Sequence, residues 1–376
     1  MNSDPGSSKL HGLDHLRALA ITMVFLFHYQ IPIFGHPLWL KDVAKFGWTG
    51  VDLFFVLSGY LIALQLFAPV RSGSQPSLKV FFLKRAFRIL PVFWLTLAIY
   101  FCFPAFHERE ALPPFWKFIT FTQNFQLDIK NHGTFSHAWS LCVEEHFYLI
   151  FPLLLITLLR FNLLNWGIYI LTLLFAVGFF IRYYNWGLYQ SAISEENSWS
   201  YWYKYVYYPS YNRLDGLLIG VGLATVQQFL PNTFARIQGL GNWLILLGLL
   251  VLTGAYFICY EERSFSATVF GFPIVAIGYG LLVAGAISPK SFLYRWNSKV
   301  TSLIATLSFS IYLIHKGVIH ITQSVLSSQE IDTDTNLTLL ISIAACFLAA
   351  LILNFLVEKP FLKLRQKTLY AINNRK

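Results

Sequence analysis

Charged residues are scarce in this chain. They make up 12% of the 376 residues, compared with about a quarter in a typical soluble domain. Hydrophobic residues make up 56%, and a soluble domain of this length could not remove so much apolar surface from water. This composition argues against a soluble enzyme, a disordered chain and a nucleic-acid-binding protein, despite the net charge of +10. It indicates a polytopic membrane protein.

Cysteine is also rare, and its four copies show no paired spacing: Cys102, Cys142, Cys259 and Cys346. The sequence therefore predicts neither a disulfide framework nor a zinc site, and no metal site is expected. No small-residue cleavage site follows the first apolar run. We interpret that run as an uncleaved first span rather than as a signal peptide.

Ten apolar runs are each long enough to cross a bilayer, which takes about 20 residues. The sequence thus predicts an all-α fold, a polytopic membrane bundle of about ten transmembrane helices. The runs lie near Leu13–Ile33, Phe46–Phe67, Ala86–Phe106, Ala138–Leu159, Leu163–Tyr183, Pro209–Phe229, Leu240–Tyr260, Ala267–Ile287, Val300–Val325 and Asn336–Val357.

Basic residues orient this predicted bundle. With the N-terminus in the cytoplasm, the inside segments hold 17 Lys and Arg residues and the outside loops hold 7. Because cytoplasmic loops usually carry the excess of positive charge, both termini are predicted to be cytoplasmic. The chain then divides into a cytoplasmic segment (1–12), a transmembrane domain (13–358) and a basic cytoplasmic tail (359–376).

The first predicted span carries two ionisable residues on one stripe. Arg17 and His28 are eleven residues apart, which on a helix means about 16 Å of rise and only about 20° of rotation. Arg17 is expected near the cytoplasmic surface, and His28 in the outer half, one turn before Pro32. Because such residues are costly inside a membrane, they are usually functional or paired.

Acidic residues are predicted at the depth of His28, because the second, fourth and sixth spans run from outside to inside and carry their acids early, near the outer surface. One interpretation is a buried ion-pair network that fixes helix register. The other is a polar cavity in which a carboxylate orients His28 as a general base. Several acids at matching depth favour the cavity. The acids are Asp52, Glu144, Glu145 and Asp215, and Arg213 lies two residues before Asp215.

Two arginines precede the third predicted span. Arg85 and Arg88 are spaced i,i+3 and so share a helix face, from which they could grip phosphate groups bidentately. The alternative is ordinary positive charge on a cytoplasmic loop. With Arg17 they would form a phosphate site beneath His28. Acyl-CoA, with its phosphorylated head and long thin arm, has a shape that fits this arrangement.

Seven segments, in order along the chain, carry a resemblance to a known family: Leu13–Ala20 with the Arg17-to-His28 spacing, Gly50–Tyr60, Arg85-x-x-Arg88, Trp139–Tyr148, Arg213–Asp215, Ser310–His315 and Val357–Phe361. The sequence resembles the acyltransferase-3 family of membrane O-acyltransferases, which includes bacterial O-antigen acetylases. The resemblance runs from Leu13 to about Phe361. It departs at His146, where the family often has Gln.

The resemblance implies transfer of an acyl group, usually acetyl, from cytoplasmic acyl-CoA to a hydroxyl of a glycan or glycolipid acceptor. Acyl-CoA would be a co-substrate, and no permanently bound cofactor is implied. Arg17 and His28 would be paired essential residues, and Arg17, Arg85 and Arg88 would bind the donor. The family also implies an integral protein of the bacterial inner membrane, in contact with its lipids. We expect this chain to act without the extracytoplasmic hydrolase-like domain of some relatives, either with its membrane domain alone or by passing the acyl group to a separate protein.

We therefore predict an integral-membrane O-acyltransferase with His28 as general base. Asp52, Glu144 or Glu145 would hold His28, and Arg213, Asp215 and His315 are possible cavity-lining residues, although a structural hydrogen bond suits His315 equally well. A covalent acyl-enzyme, the acceptor, the acyl length and the oligomeric state stay open. The alternatives are a proton-coupled secondary transporter that uses the intramembrane acids and a non-catalytic scaffold. Gly50, Ser58 and Gly59 are predicted to allow close helix approach.

Overall fold

The computed structural model describes residues 11–31, 33 and 35–374. Most of the predicted N-terminal segment, Pro32 and the last two residues of the predicted tail lie outside the described residues. Within the described ranges the chain forms helices and no strands. The predicted all-α class is confirmed.

The described part of the chain contains eleven helices of at least fifteen residues. Shorter helices, none longer than ten residues, connect several of them. The long helices are α1 (His11–Tyr29), α2 (Gly50–Arg71), α3 (Leu78–Cys102), α4 (Trp139–Arg160), α5 (Gly167–Ser191), α6 (Asp215–Phe229), α7 (Asn242–Ile258), α8 (Phe272–Ala286), α9 (Lys299–Ser328), α10 (Asn336–Leu353) and α11 (Lys359–Asn373).

The helices confirm a polytopic membrane protein, but they do not establish ten crossings. Among the described residues, seven helical segments are long and apolar enough to span a bilayer, and an eighth qualifies if α7 is joined to Pro231–Leu240 across a 78° bend. Helix α6 has only fifteen residues. Helix α1 carries Asp14, Arg17 and His28, which lower its hydropathy. Ten spans and cytoplasmic termini therefore stay predictions.

Helix α2 lies at the centre of the bundle, packed against α1, α6 and α8. Glycines allow the closest approaches: a Cβ added to Gly59 would lie 2.1 Å from the Leu217 carbonyl oxygen of α6, and one added to Gly50 would lie 2.6 Å from the Ala20 carbonyl oxygen of α1. Backbones come this close only where side chains are absent. The predicted role of Gly50 and Gly59 in helix approach is confirmed.

Helix α1 also packs along α9, which in turn packs against α10. Helix α5 is peripheral, and its exposed Phe180, Tyr183 and Tyr184 face outward. Such an apolar surface suits contact with lipid. Helices α1, α2, α4 and α9 carry four of the seven predicted motif segments.

We expect Gly59→Val to destabilise the bundle, because its side chain would meet the backbone of α6. Overpacking of this kind costs about 1–3 kcal/mol, so the melting temperature in detergent should fall. The control is Gly254→Val on α7, where an added Cβ has no atom within 4 Å. Equal melting temperatures for the two variants would contradict the close approach.

Candidate active site

Three histidines from separate elements meet near one end of the bundle. His28 comes from α1, His315 from α9, and His137 from the turn Ser136–Ala138 before α4. The ring centroids are 4.9 Å apart for His28 and His315, 4.9 Å for His137 and His315, and 5.9 Å for His28 and His137. Sequence reasoning missed His137, because it lies in a loop just before the Trp139–Tyr148 motif.

Hydrogen bonds assign the proton positions on these rings. His315 Nδ1 lies 2.8 Å from the Tyr312 carbonyl oxygen and 3.1 Å from that of Ile311. Carbonyl oxygens only accept, so this Nδ1 carries the proton, and in the neutral ring Nε2 accepts. His315 Nε2 lies 2.9 Å from His28 Nδ1, which must therefore donate. The free electron pair of His28 is left on Nε2.

His28 lines a cavity of about 390 Å³, here named the outer cavity. Its polar lining includes His137, Lys316, Arg109 and Glu262. Much of the remaining wall is aromatic: Phe27, Trp48, Trp139, Trp199, Trp202, Tyr203, Tyr207, Tyr208 and Phe272. The pattern of many planar rings and few polar groups is that of an organic ligand site rather than of a water channel.

A buried ion pair closes one side of the outer cavity. Lys316 Nζ lies 2.7 Å from Glu108 Oε1, and both side chains are buried. The same carboxylate oxygen accepts a hydrogen bond from the Phe135 N–H at 3.1 Å, and Lys316 donates to Ser136 Oγ at 3.3 Å. The loop between α3 and α4 is thereby tied to α9. Sequence reasoning assigned no role to Glu108.

A second cavity, of about 350 Å³ and here named the inner cavity, brings the three predicted donor-binding arginines together. Arg17 reaches it from α1, and Arg85 and Arg88 from α3. Arg17 Nη1 also lies 3.5 Å from Oδ1 of Asp14, one helical turn away. The three guanidinium groups give this cavity a positive wall, in agreement with the predicted grouping of Arg17 with Arg85 and Arg88.

Helix α4 supplies an acid to the same cavity. Glu144 accepts hydrogen bonds from the Tyr148 hydroxyl and, at 3.2 Å, from Ser58 Oγ of α2. The Arg85 guanidinium lies 4.9 Å from the centre of the Tyr148 ring, a cation–π distance. Glu144 therefore belongs to the arginine cavity and not to the histidine cluster.

The predicted tail adds a fourth arginine near this wall. Helix α11 packs against α3, and Arg365 lies within electrostatic reach of Arg88 and Arg85. From sequence, this segment is a basic amphipathic tail. The fold packs it against α3, the helix that carries Arg85 and Arg88, although Arg365 itself does not line the inner cavity.

The two cavities meet at Val51, which lines both. Tyr312 lines the inner cavity. Its hydroxyl lies 2.5 Å from Ser140 Oγ and donates a hydrogen bond to the His137 carbonyl oxygen at 2.5 Å. The wall between the cavities is thus also a support of the histidine cluster.

The prediction that a carboxylate holds His28 is wrong, because His315 holds that ring. Asp52 is bonded instead to Arg213, whose Nη2 lies 2.8 and 2.9 Å from the two carboxylate oxygens. Both residues are buried, at 2% and 1% exposure. An unpaired charge in an apolar interior is very costly, and the nearby guanidinium offsets part of that cost.

The other predicted cavity residues lie behind the walls. Asp215 is 2.7 Å from Arg182 of α5, and Glu145 has one buried oxygen without a hydrogen-bond partner. Asp215, Arg213, Glu145 and His315 line neither cavity, contrary to the cavity-lining prediction for Asp215, Arg213 and His315. A depth estimate cannot say which side of a helix a residue faces.

Comparison with known sequences agrees with this architecture. Residues 10–357 match the acyltransferase-3 family, described as an acyltransferase domain. The chain belongs to this family of acyltransferases. It is 28% identical over 375 residues to peptidoglycan O-acetyltransferase OatA of Listeria monocytogenes, an alignment that covers 93% of the chain and 55% of that relative.

A second relative of this acyltransferase is O-acetyltransferase OatA of Staphylococcus aureus strain NCTC 8325, 28% identical over 333 residues. That alignment covers 82% of the chain and 50% of the relative. The acyltransferase spans about half the length of these curated relatives. No solved structure matches it significantly.

We expect Asp52→Asn to destabilise this acyltransferase, because it leaves the buried Arg213 without its counter-charge. Breaking a buried pair from one side costs about 3–5 kcal/mol, so the melting temperature in detergent should fall clearly. The control is Asp42→Asn at an exposed position. An unchanged melting temperature together with lost transfer would contradict a structural role and restore Asp52 to the chemistry.

Proposed function

We propose that this acyltransferase is an O-acetyltransferase of a bacterial inner membrane that uses acyl-CoA, most simply acetyl-CoA, as donor. The acceptor would be a hydroxyl of a carbohydrate, in a cell-surface polysaccharide or a lipid-linked glycan. The observation that carries the proposal is the pair of adjacent cavities, one walled by arginines and the other holding a histidine with a free ring nitrogen. The predicted segments (1–12, 13–358 and 359–376) and cytoplasmic termini form part of this proposal.

The inner cavity suits the donor. CoA carries several phosphate charges, and arginine is the side chain best matched to phosphate oxygens. Arg17, Arg85 and Arg88 line this cavity, so the phosphorylated head would bind there. The thin pantetheine arm would then extend toward Val51, where the two cavities meet.

The outer cavity suits the carbohydrate. Sugars present apolar C–H faces and polar edges, and flat aromatic rings pack against those faces. Trp139, Trp202 and Tyr207 are among the rings in the wall. His28 in the same wall would be available to the sugar hydroxyl. Relatives named as O-acetyltransferases, one of them of peptidoglycan, support this choice of acceptor class.

The chemistry follows from the assigned proton positions. His28 Nε2 would take the proton of the acceptor hydroxyl as the oxygen attacks the thioester carbonyl carbon. The carbon–sulfur bond then breaks, the acetyl ester forms, and the CoA thiolate takes the proton from His28. His315 would act as a positioning residue, since its Nε2 accepts from His28 Nδ1 at 2.9 Å and keeps the free pair on the reacting nitrogen.

The transporter alternative has less support. A proton relay needs acids that can bind and release protons along a path. Asp52 is instead paired with Arg213 at 2.8 Å, and Asp215 with Arg182 at 2.7 Å. Release of CoA from acetyl-CoA by the purified protein would separate the two functions, since a transporter would release none.

Replacing both Arg85 and Arg88 by Gln should weaken CoA binding by about tenfold or more, because each charge-assisted hydrogen bond is worth about 1.5–3 kcal/mol. The salt dependence of binding should also decrease. Calorimetry of the purified protein with CoA measures both quantities. The matched control replaces exposed Arg71 and Lys79 by Gln, outside the cavity. Unchanged affinity in the first variant would remove these arginines from the donor site.

His28→Ala should reduce transfer by about 10²–10⁴-fold, the usual contribution of a positioned general base, and leave CoA affinity nearly intact. His28→Gln should be almost as inactive, because Gln cannot take the proton. CoA release and product formation are measured separately from CoA binding. His320→Ala is the control, since His320 lies on α9 outside both cavities. Near-normal turnover in His28→Gln would make His28 a packing residue.

His315→Phe should lower kcat by about 10-fold or more at unchanged CoA affinity, because the His28 tautomer is no longer fixed. His315→Gln should retain more activity, since its amide oxygen can accept from His28 Nδ1. In a His28→Ala background neither change should matter further. Equal activities of the Phe and Gln variants would leave His315 a purely structural role.

A further inference from the structure

Arg109 occupies a fixed position in the outer cavity. It belongs to the loop between α3 and α4 and lines the cavity together with His28. Thr134 holds this loop: its hydroxyl donates to the Arg109 carbonyl oxygen at 2.7 Å, and its N–H donates to the Ala111 carbonyl oxygen at 3.1 Å. The backbone of Arg109 is therefore anchored to another part of the same loop.

A glycine makes room for the Arg109 side chain. A Cβ added to Gly133 would lie 2.4 Å from Arg109 Cδ, so any larger residue would displace the aliphatic stem. The stem is thus packed while the guanidinium group reaches the cavity. This arrangement restricts where the charge can lie.

The charge of Arg109 has no counter-ion within the described ranges, 11–31, 33 and 35–374. No hydrogen bond or ion pair joins its guanidinium to any of these residues. Lys316, another cation in the cavity wall, is paired with Glu108 at 2.7 Å. The acid in the wall, Glu262, has Arg263 and Lys45 as its nearby charges. A cation facing a largely aromatic cavity is therefore left to bind a ligand.

We propose that Arg109 forms a subsite for an anionic group of the carbohydrate acceptor, a carboxylate or a phosphate. The inference rests on the proposed function, which places a carbohydrate in this cavity. A guanidinium binds either anion bidentately, and the surrounding rings would hold the face of the sugar. The acceptor is then an acidic sugar, and Arg109 determines the preference for it over a neutral one.

The test measures binding rather than turnover. The full chain, in nanodiscs of zwitterionic lipid, is titrated with glucuronate, glucose 6-phosphate and glucose by saturation-transfer NMR. The wild type should bind at least one anionic sugar about tenfold more tightly than glucose, the change expected from a charge-assisted hydrogen bond. Arg109→Gln should reduce this preference to about twofold or less, and Arg109→Lys should keep part of it. The two anionic probes distinguish carboxylate from phosphate.

Lys130→Gln is the matched control, because Lys130 is exposed in the same loop and lies outside the cavity. It removes one positive charge and should leave the preference unchanged. Equal affinities of the wild type for glucose and both anionic sugars would overturn the proposal. So would a preference that survives in Arg109→Gln or is lost in Lys130→Gln.

Binding also separates this inference from the proposed function. If the wild type releases no CoA from acetyl-CoA but keeps an Arg109-dependent preference, the transferase proposal fails and the anionic subsite stands. If CoA release and transfer occur without that preference, the subsite fails and the transferase proposal stands. His28→Ala should retain the preference, because the subsite needs no proton transfer.

Discussion

The need to pair every buried charge inside the protein dominates this structure. In an apolar interior there is little water to solvate an ion, so an uncompensated charge is expensive. Asp52 with Arg213, Asp215 with Arg182 and Glu108 with Lys316 each meet at 2.7–2.8 Å. These pairs join α2 to the segment before α6, α5 to the start of α6, and α9 to the segment before α4. The last of them ties His315 on α9 to the loop that carries His137.

Once those pairs are made, the polar groups still open to ligands are concentrated at the two cavities. Arg85 and Arg88 line the inner cavity and have no ion pair within the described ranges, and His28 lines the outer cavity with no hydrogen bond to its Nε2. The histidine cluster needs no carboxylate, because backbone carbonyl oxygens at Ile311 and Tyr312 orient His315, and His315 orients His28. A chain of hydrogen bonds between neutral groups avoids placing another anion in the apolar interior.

Sequence reasoning recovered the parts of the site that follow from helical periodicity. Arg17 and His28 share a stripe, and Arg85 and Arg88 share a face, so the grouping of these side chains on helix faces could be predicted from spacing. The partners across the bundle could not. Asp52 and Glu144 were placed at similar depth, but one faces Arg213 and the other lines the inner cavity. Rotation about each helix axis and the path of loops, which bring in His137 and Arg109, depend on tertiary packing.

The wall between the cavities links the two halves of the proposed reaction. For the acetyl group to reach an oxygen beside His28, the donor arm must pass the region of Val51 and Tyr312. Tyr312 is bonded to both Ser140 and the His137 carbonyl oxygen, and its own carbonyl oxygen accepts from His315 Nδ1. A displacement of this residue would therefore disturb the hydrogen bonds that orient the base. In the proposed reaction, Tyr312 would both separate His28 from the donor and support the hydrogen bonds that orient His28, so arrival of the thioester would be physically coupled to the orientation of the base.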